Sequence, residues 1–201
     1  MFTDCRRAVD NQWSWLPATV LPDQTVSCTG GTLDAPRVQP IEGLSGVRAI
    51  SYGALQFCAI VGDASVRCWS GNFAAGATTS VPVAGVADAV EFGDGDLLCV
   101  RLASGEVSCG GVPVLGIDDA VALSTTSRDG CAVRSDGTVA CWREVSGGQS
   151  PTAFMLGNLQ GVADITLTQS IVDPIARLES GEIFAVSDLS STATSTQVFI
   201  P

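Results

Sequence analysis

Three pairs of cysteines, Cys58/Cys68, Cys99/Cys109 and Cys131/Cys141, each stand ten positions apart. That spacing constrains the chain more than any other feature. The segments that the pairs enclose align as CAIVGDASVRC (58–68), CVRLASGEVSC (99–109) and CAVRSDGTVAC (131–141). If Cys131 faces Cys141, then Val133 faces Val139 and Arg134 faces Thr138, leaving Ser135-Asp136-Gly137 as the loop of a β-hairpin. A three-residue hairpin loop needs a left-handed residue in its last place, which Gly137 tolerates, as do Gly105 and Gly181 in their copies. Ala64 stands there in the first complete copy, so a different turn is expected in that hairpin. Directly opposed residues on paired strands are close enough for a disulfide. Zinc sites bring cysteines two to four residues apart, a pattern absent here.

A fourth copy, IARLESGEIFA (175–185), has Ile175 and Ala185 where the others have cysteine. Their joint loss is what a bonded pair predicts. A fifth copy opens the chain, with Cys5-Arg6-Arg7-Ala8 as one half and Thr25-Val26-Ser27-Cys28 as the other. The residues between Ala8 and Thr25 are read as an inserted loop. The expected disulfides are therefore Cys5–Cys28, Cys58–Cys68, Cys99–Cys109 and Cys131–Cys141. An even count of eight cysteines in such a frame points to an oxidising compartment: extracellular, cell-surface or periplasmic.

Further strands recur in phase with the hairpins. A glycine-led apolar segment precedes each one: Gly46-Val47, Gly85-Val86, Gly116-Ile117 and Gly161-Val162. A strand often marked by proline follows, as in Val38-Gln39-Pro40-Ile41, Val81-Pro82-Val83 and Val112-Pro113-Val114, with Gln197-Val198-Phe199-Ile200 in the last copy. Four short strands every ~40–45 residues are the pattern of a β-propeller. The expected fold is all-β: a β-propeller of about five four-stranded repeats, forming either a compact ring or a partial, open arc. The repeats span about 1–45, 46–85, 86–117, 118–160 and 161–201 of a single domain, 1–201. The first is expected to lack its leading strand, because only four residues precede Cys5. An open arc would expose an apolar sheet face and favour self-association.

The order Gly-Val-x-x-Ile, then Cys-Ala-x-x-x-Asp-Gly-x-Val-x-Cys-Trp, then Pro-x-x-Val resembles the regulator of chromosome condensation repeat family. Cys131 to Trp142 is the nearest match, and Cys68-Trp69-Ser70-Gly71-Asn72 with Gly76 is similar to a second segment of that repeat. The paired cysteines are like those of secreted bacterial members. The resemblance implies a propeller, usually of seven blades. It also implies a role as a nucleotide exchange factor, a chromatin binder or a protein inhibitor of β-lactamases. None of these roles maps onto particular residues here.

The chain of 201 residues has no His, and all ten basic residues are Arg. Catalytic pairs that use histidine, a P-loop lysine and a Schiff-base lysine are thereby excluded. A net charge of −11 argues against nucleic acid and anionic membrane surfaces, and no apolar run approaches a membrane span. The opening Met-Phe-Thr-Asp has neither the basic nor the apolar region of a signal peptide, so a mature or trimmed form is expected.

Trp69 and Trp142 repeat after the second cysteine and read as packing between blades. Trp13 and Trp15 lie in the insertion and read as aromatic contacts for a ligand, against the alternative that they cover the first blade. Arg7, Arg101 and Arg177 share one repeat position, two after the first half-site, and could form part of an anion-binding ring. The carboxylates of 91–96 and 118–119 read as polar turns, since no spacing marks them as a calcium loop or an acid–base pair. No cofactor, metal ligand or catalytic residue is assigned. The expected function is a non-enzymatic, exported binding module for a protein or glycan. The alternatives are a protein inhibitor of an extracellular enzyme and a carboxylate-dependent enzyme acting on polysaccharide.

Overall fold

The computed structural model describes residues 3–9, 12–20, 22–32, 35–53, 56–70, 78–95, 97–145, 148–167, 174–190 and 192–198. Over 3–20 and 27–40, and at 53, 70 and 78, it describes the backbone. Among these residues the regular structure is all strand. Four strands, β1 (Thr3–Val9), β2 (Gln12–Val20), β3 (Val26–Thr32) and β4 (Ala35–Glu42), form the first blade. The second has β5 (Ala49–Gly53), β6 (Gln56–Ile60), β7 (Val66–Ser70) and β9 (Val81–Pro82), while β8 (Thr78–Thr79) pairs in parallel with β4. Blade 3 has β10 (Ala89–Phe92), β11 (Cys99–Leu102), β12 (Val107–Cys109) and β13 (Val112–Pro113). Blade 4 has β14 (Ala120–Thr125), β15 (Asp129–Arg134), β16 (Val139–Arg143) and β17 (Phe154–Met155). Blade 5 has β18 (Val162–Thr166), β19 (Ile175–Leu178), β20 (Ile183–Val186) and β21 (Ser195–Val198). The chain divides into two compact units, Met1–Ala89 and Val90–Pro201.

The register matches the hairpin reading in four blades. Cys58 lies opposite Cys68, Cys99 opposite Cys109, Cys131 opposite Cys141 and Ile175 opposite Ala185. The three cysteine pairs are disulfide-bonded. The first blade corrects the sequence reading. The supposed insertion is not a loop but the second strand, β2, so the blade has its full four strands rather than three. Its hairpin joins β2 to β3, and Ala18, not Cys5, lies opposite Cys28. Cys5 lies on β1 opposite Leu16. The expected Cys5–Cys28 bond concerns side chains outside the described residues.

The second correction concerns the hairpin turn. Gln24, Ala64, Gly105, Gly137 and Gly181 all have φ between 62° and 91°. Ala64 therefore adopts the same turn as the glycines instead of a different one. Its amide donates to Val61 O at 2.8 Å, as the Gly137 amide does to Arg134 O at 2.9 Å. An aspartate one place earlier secures the turn. Asp63 Oδ1 accepts from the Ser65 amide and hydroxyl, and Asp136 Oδ1 from the Thr138 amide and hydroxyl. Asp23 and Thr25 repeat the arrangement. These bonds hold an alanine where its Cβ costs about 1–2 kcal/mol. Ala64→Gly should therefore raise stability by about 0.5–1 kcal/mol, after the entropy of the glycine is charged against the relief. Denaturant melts of the two proteins measure this, and a destabilised glycine variant would refute the strain.

The turns also join neighbouring blades. The left-handed residue offers its carbonyl to the amide that opens the next blade: Gln24 O to Val47 N, Gly105 O to Ala120 N and Gly137 O to Val162 N, each at 2.9 Å. Within each unit a blade buries one face on its successor. In the first unit, Val26 and Ile41 of blade 1 pack with Val47, Ile50, Phe57 and Trp69. In the second unit, Cys99 and Val107 pack with Leu123, Ala132 and Trp142, and Cys131, Val133, Val139 and Cys141 pack with Val162, Ile165, Ala176 and Val186. Period-2 alternation along each strand supplies both faces, so the middle strands read as nearly continuous apolar runs.

Candidate functional site

An antiparallel blade has two ends of different character. The second-to-third-strand turns and the links between blades share one end. The first-to-second and third-to-fourth connections share the other. The turn end is tight and uniform. At the opposite end the connections differ in length from blade to blade, from 110–111 and 126–128 to 144–153 and 187–194. Variable loops on a rigid sheet frame are where binding residues concentrate.

In the second unit this loop end is pinned by polar contacts. Asp94, in the connection after β10, accepts from the Ser124 hydroxyl at 2.9 Å and from the Thr125 amide at 2.8 Å. The Ser124 hydroxyl oxygen in turn accepts from the Leu167 amide at 2.9 Å. A chain of hydrogen bonds thus runs from blade 3 through blade 4 to blade 5. Gly93 and Gly95 allow the approach, since a Cβ at either would fall inside contact distance of Thr125. Nothing in the sequence pattern marked Ser124, a buried serine on a first strand. Its signal was only a place at the head of the hydroxyl run Ser124-Thr125-Thr126-Ser127, directly after Ala120-Val121-Ala122-Leu123.

The carboxylates noted in the sequence are occupied locally. Glu91 pairs with Arg101 at 2.7 Å. Asp119 pairs with Arg134 at 2.7 Å and accepts from the Ser135 hydroxyl. The Arg134 guanidinium, bonded to Asp119, holds that carboxyl below its ordinary range. Hydroxyls of Thr25, Ser65 and Thr138 do the same for Asp23, Asp63 and Asp136. Among the described residues no three His, Cys, Asp or Glu gather to hold a metal ion.

The arginines do not share one repeat position. In blade 1 the hairpin places Val20 where blades 3 and 5 have Arg101 and Arg177, and Arg7 lies on the first strand opposite Ser14. The misplacement followed from anchoring that repeat on Cys5. Arg101 and Arg177 each meet a carboxylate on the first strand of their own blade, Glu91 at 2.7 Å and Asp164 at 3.7 Å. Blades 2 and 4 fill the same pair of places with Ala49 opposite Ile60 and Ala122 opposite Val133. Charge enters at both places or at neither, a pairing legible in the repeat once the first strand is aligned. Glu106 and Glu182 bond instead to Ser104 and Ser180 in their turns.

Trp69 and Trp142 are buried, as packing between blades requires. Phe57 stacks on Trp69 with ring centroids 5.8 Å apart. Trp142 lies over Gly130, where a Cβ would come within 3 Å of three atoms of the indole ring. Trp13 and Trp15 lie on β2 opposite Ala8 and Arg6, and their side chains are outside the described residues.

Repeated sheets of four antiparallel strands, joined in chain order, are the build of a β-propeller, the fold of the solved structures that the chain resembles. Its fold resembles that of yeast RCC1 (Prp20), with a TM-score of 0.60 at 8% identity over 90% of this chain and 58% of that one. The chain is similar to Prp20p from Saccharomyces cerevisiae at 8% identity, with a TM-score of 0.59 over 90% of this chain and 60% of that one. It is similar to human WBSCR16 at 14% identity, with a TM-score of 0.62 over 93% of this chain and 65% of that one. A third likeness is to PorZ of Porphyromonas gingivalis, at 11% identity and a TM-score of 0.57 over 90% of this chain and 26% of that one. The chain thus spans less than two thirds of the length of each of these structures. No family model matches the sequence, and no curated protein matches it.

Proposed function

We propose that the chain is a non-enzymatic, exported binding module that presents the loop end of its blades to a protein ligand. The observation that carries this reading is the pinned loop end. The Asp94–Ser124–Leu167 chain ties three blades together beneath connections of differing length. Such a surface enters an interface already ordered, which lowers the entropic cost of association. Export is supported by the three disulfides. Two of the similar proteins lend support. Prp20p is described by its binding to Gsp1p and histones, and PorZ is a bacterial surface component of the type-IX secretion system. The absence of His and Lys leaves few residue types for nucleophilic or general-base catalysis.

Variants at the two ends of the blades test this. Arg128→Glu and Glu144→Arg alter exposed residues at the loop end, whereas Ala103→Arg alters an exposed residue at the turn end. Affinity capture from the surface and culture proteins of the source organism should yield a specific partner. Its dissociation constant should rise at least tenfold with the loop-end variants and stay unchanged with Ala103→Arg. A partner lost equally with both kinds of variant, or kept with both, would refute the loop end as the binding surface.

A further inference from the structure

Among the described residues, four joints between blades share one construction. A left-handed turn residue gives its carbonyl to the amide that opens the next blade: Gln24 to Val47, Ala64 to Ala89, Gly105 to Ala120 and Gly137 to Val162, each at 2.9 Å. The Ala64 joint differs from the other three in strain. Ala64 has φ 62°, and Asp88, directly before the receiving amide, has φ 55°. The Gly137 joint has glycine in both places, Gly137 with φ 75° and Gly161 with φ 65°. The Gln24 joint has glycine in one of them, Gly46, and the Gly105 joint in the other. Of the four, the Ala64 joint alone sets a Cβ in the left-handed region on both sides of its hydrogen bond, which L-residues disfavour. It stands at the end of the first compact unit, Met1–Ala89.

A carboxylate holds the strained turn in place. Asp63 Oδ1 accepts from the Ser65 amide at 3.0 Å and from the Ser65 hydroxyl at 2.7 Å. Asp63 is exposed, whereas Ala89, whose amide closes the joint, is 1% exposed. Solvent protons therefore reach the lock while the bond it protects is buried. The charged groups around it are Arg67 of β7, Arg48, which donates to Gly62 O at 2.6 Å, and Asp88 beside the receiving amide. The Ser65 hydroxyl and amide, with Arg67 beyond them, hold the Asp63 carboxyl below its ordinary range. The lock is thus complete at neutral pH and is lost as pH falls through that lowered value. A neutral carboxyl accepts these two bonds less strongly than a carboxylate does. Asp136 accepts the same two bonds from Thr138 in the blade 4 turn, with Arg134 as its cation. Gly137, however, keeps its left-handed conformation without a restraint. We propose that Asp63, Ala64 and the Ala89 amide form an acid-released latch, which opens the end of the first unit while the Gly137 joint stays closed.

Amide hydrogen exchange of the intact protein, read residue by residue and normalised to the intrinsic rate at each pH, tests this. Between about pH 6 and about pH 2.5, which spans the ordinary aspartate range, the protection of Ala89 should fall at least tenfold. That of Val162 should fall less than threefold. Ala64→Gly relieves the strain, so Ala89 should then keep its protection in acid. Asp63→Ala removes the lock, so the protection of Ala89 should already be low at neutral pH and no longer depend on acid. Ser65→Ala removes the strongest donor to Asp63 and should move the release to higher pH. Protection of Ala89 that is unchanged in acid, or that falls in step with Val162, would overturn the proposal. So would an Ala64→Gly variant as acid-sensitive as the parent.

Discussion

Trp142→Ala should lower the free energy of unfolding by about 3–5 kcal/mol, the range for deleting a large buried aromatic side chain. Trp142 is 0% exposed and lies among Cys99, Val107, Leu123 and Ala132, where blades 3 and 4 meet. Its removal opens a cavity that two rigid sheets cannot collapse to fill. Gly130→Ala should destabilise from the other direction, by about 1–3 kcal/mol, because the new Cβ would come within 3 Å of the indole ring atoms. The two changes should not add. With the ring gone the methyl group has room, so the double variant should be more stable than the sum of the single effects implies, by about 1 kcal/mol or more. Urea melts of the three variants decide the matter. Strict additivity would mean that Gly130 and Trp142 do not share space. The indole N–H of Trp142 has no hydrogen-bond partner and neither has that of Trp69. Both rings therefore contribute by volume and apolar area.

Loss of the three disulfides should have the largest effect of all. Closing a loop of about 11 residues constrains the unfolded chain by up to about 3 kcal/mol, so three bridges contribute up to about 9 kcal/mol. That rivals the whole stability of an ordinary domain. Cys58, Cys99, Cys131 and Cys141 are fully buried, so the bridges should resist reductant in the native state. Reduction under denaturant, followed by return to buffer, should leave the chain unfolded or melting tens of degrees lower. Cys131→Ala/Cys141→Ala alone should cost about 2–3 kcal/mol, and a melt within a few degrees of the parent would refute the estimate. Blade 5 already holds Ile175 opposite Ala185 in the same register.

Much of this was legible without coordinates because a hairpin is a local object. Ten-residue spacing, a glycine before the returning strand and the joint replacement at Ile175 and Ala185 all follow from residues near one another in sequence. Local geometry then dictated the opposed pairs, the disulfides at 58–68, 99–109 and 131–141, and the four-strand repeat. The same locality misled the reading of the first blade. Cys5, taken as the half-site opposite Cys28 where the hairpin has Ala18, drew Arg7 and the tryptophans into the wrong frame. The better guide was Asp23-Gln24-Thr25, which matches Asp63-Ala64-Ser65 and Asp136-Gly137-Thr138. It went unread because a left-handed glutamine is a poor expectation until the turn around it is seen.

What the sequence by itself determined was the strand, its partner and its face, since these depend on periods of two and on turns a few residues long. What only the tertiary structure decided was which neighbour each face meets. Asp94 holding Ser124 and Leu167 closing that chain from a third blade join residues 30 and 43 positions apart. No local rule links such positions. Their bonds form because stacked sheets bring the ends of first strands together, and a buried hydroxyl or a half-buried carboxylate must then find its partner there.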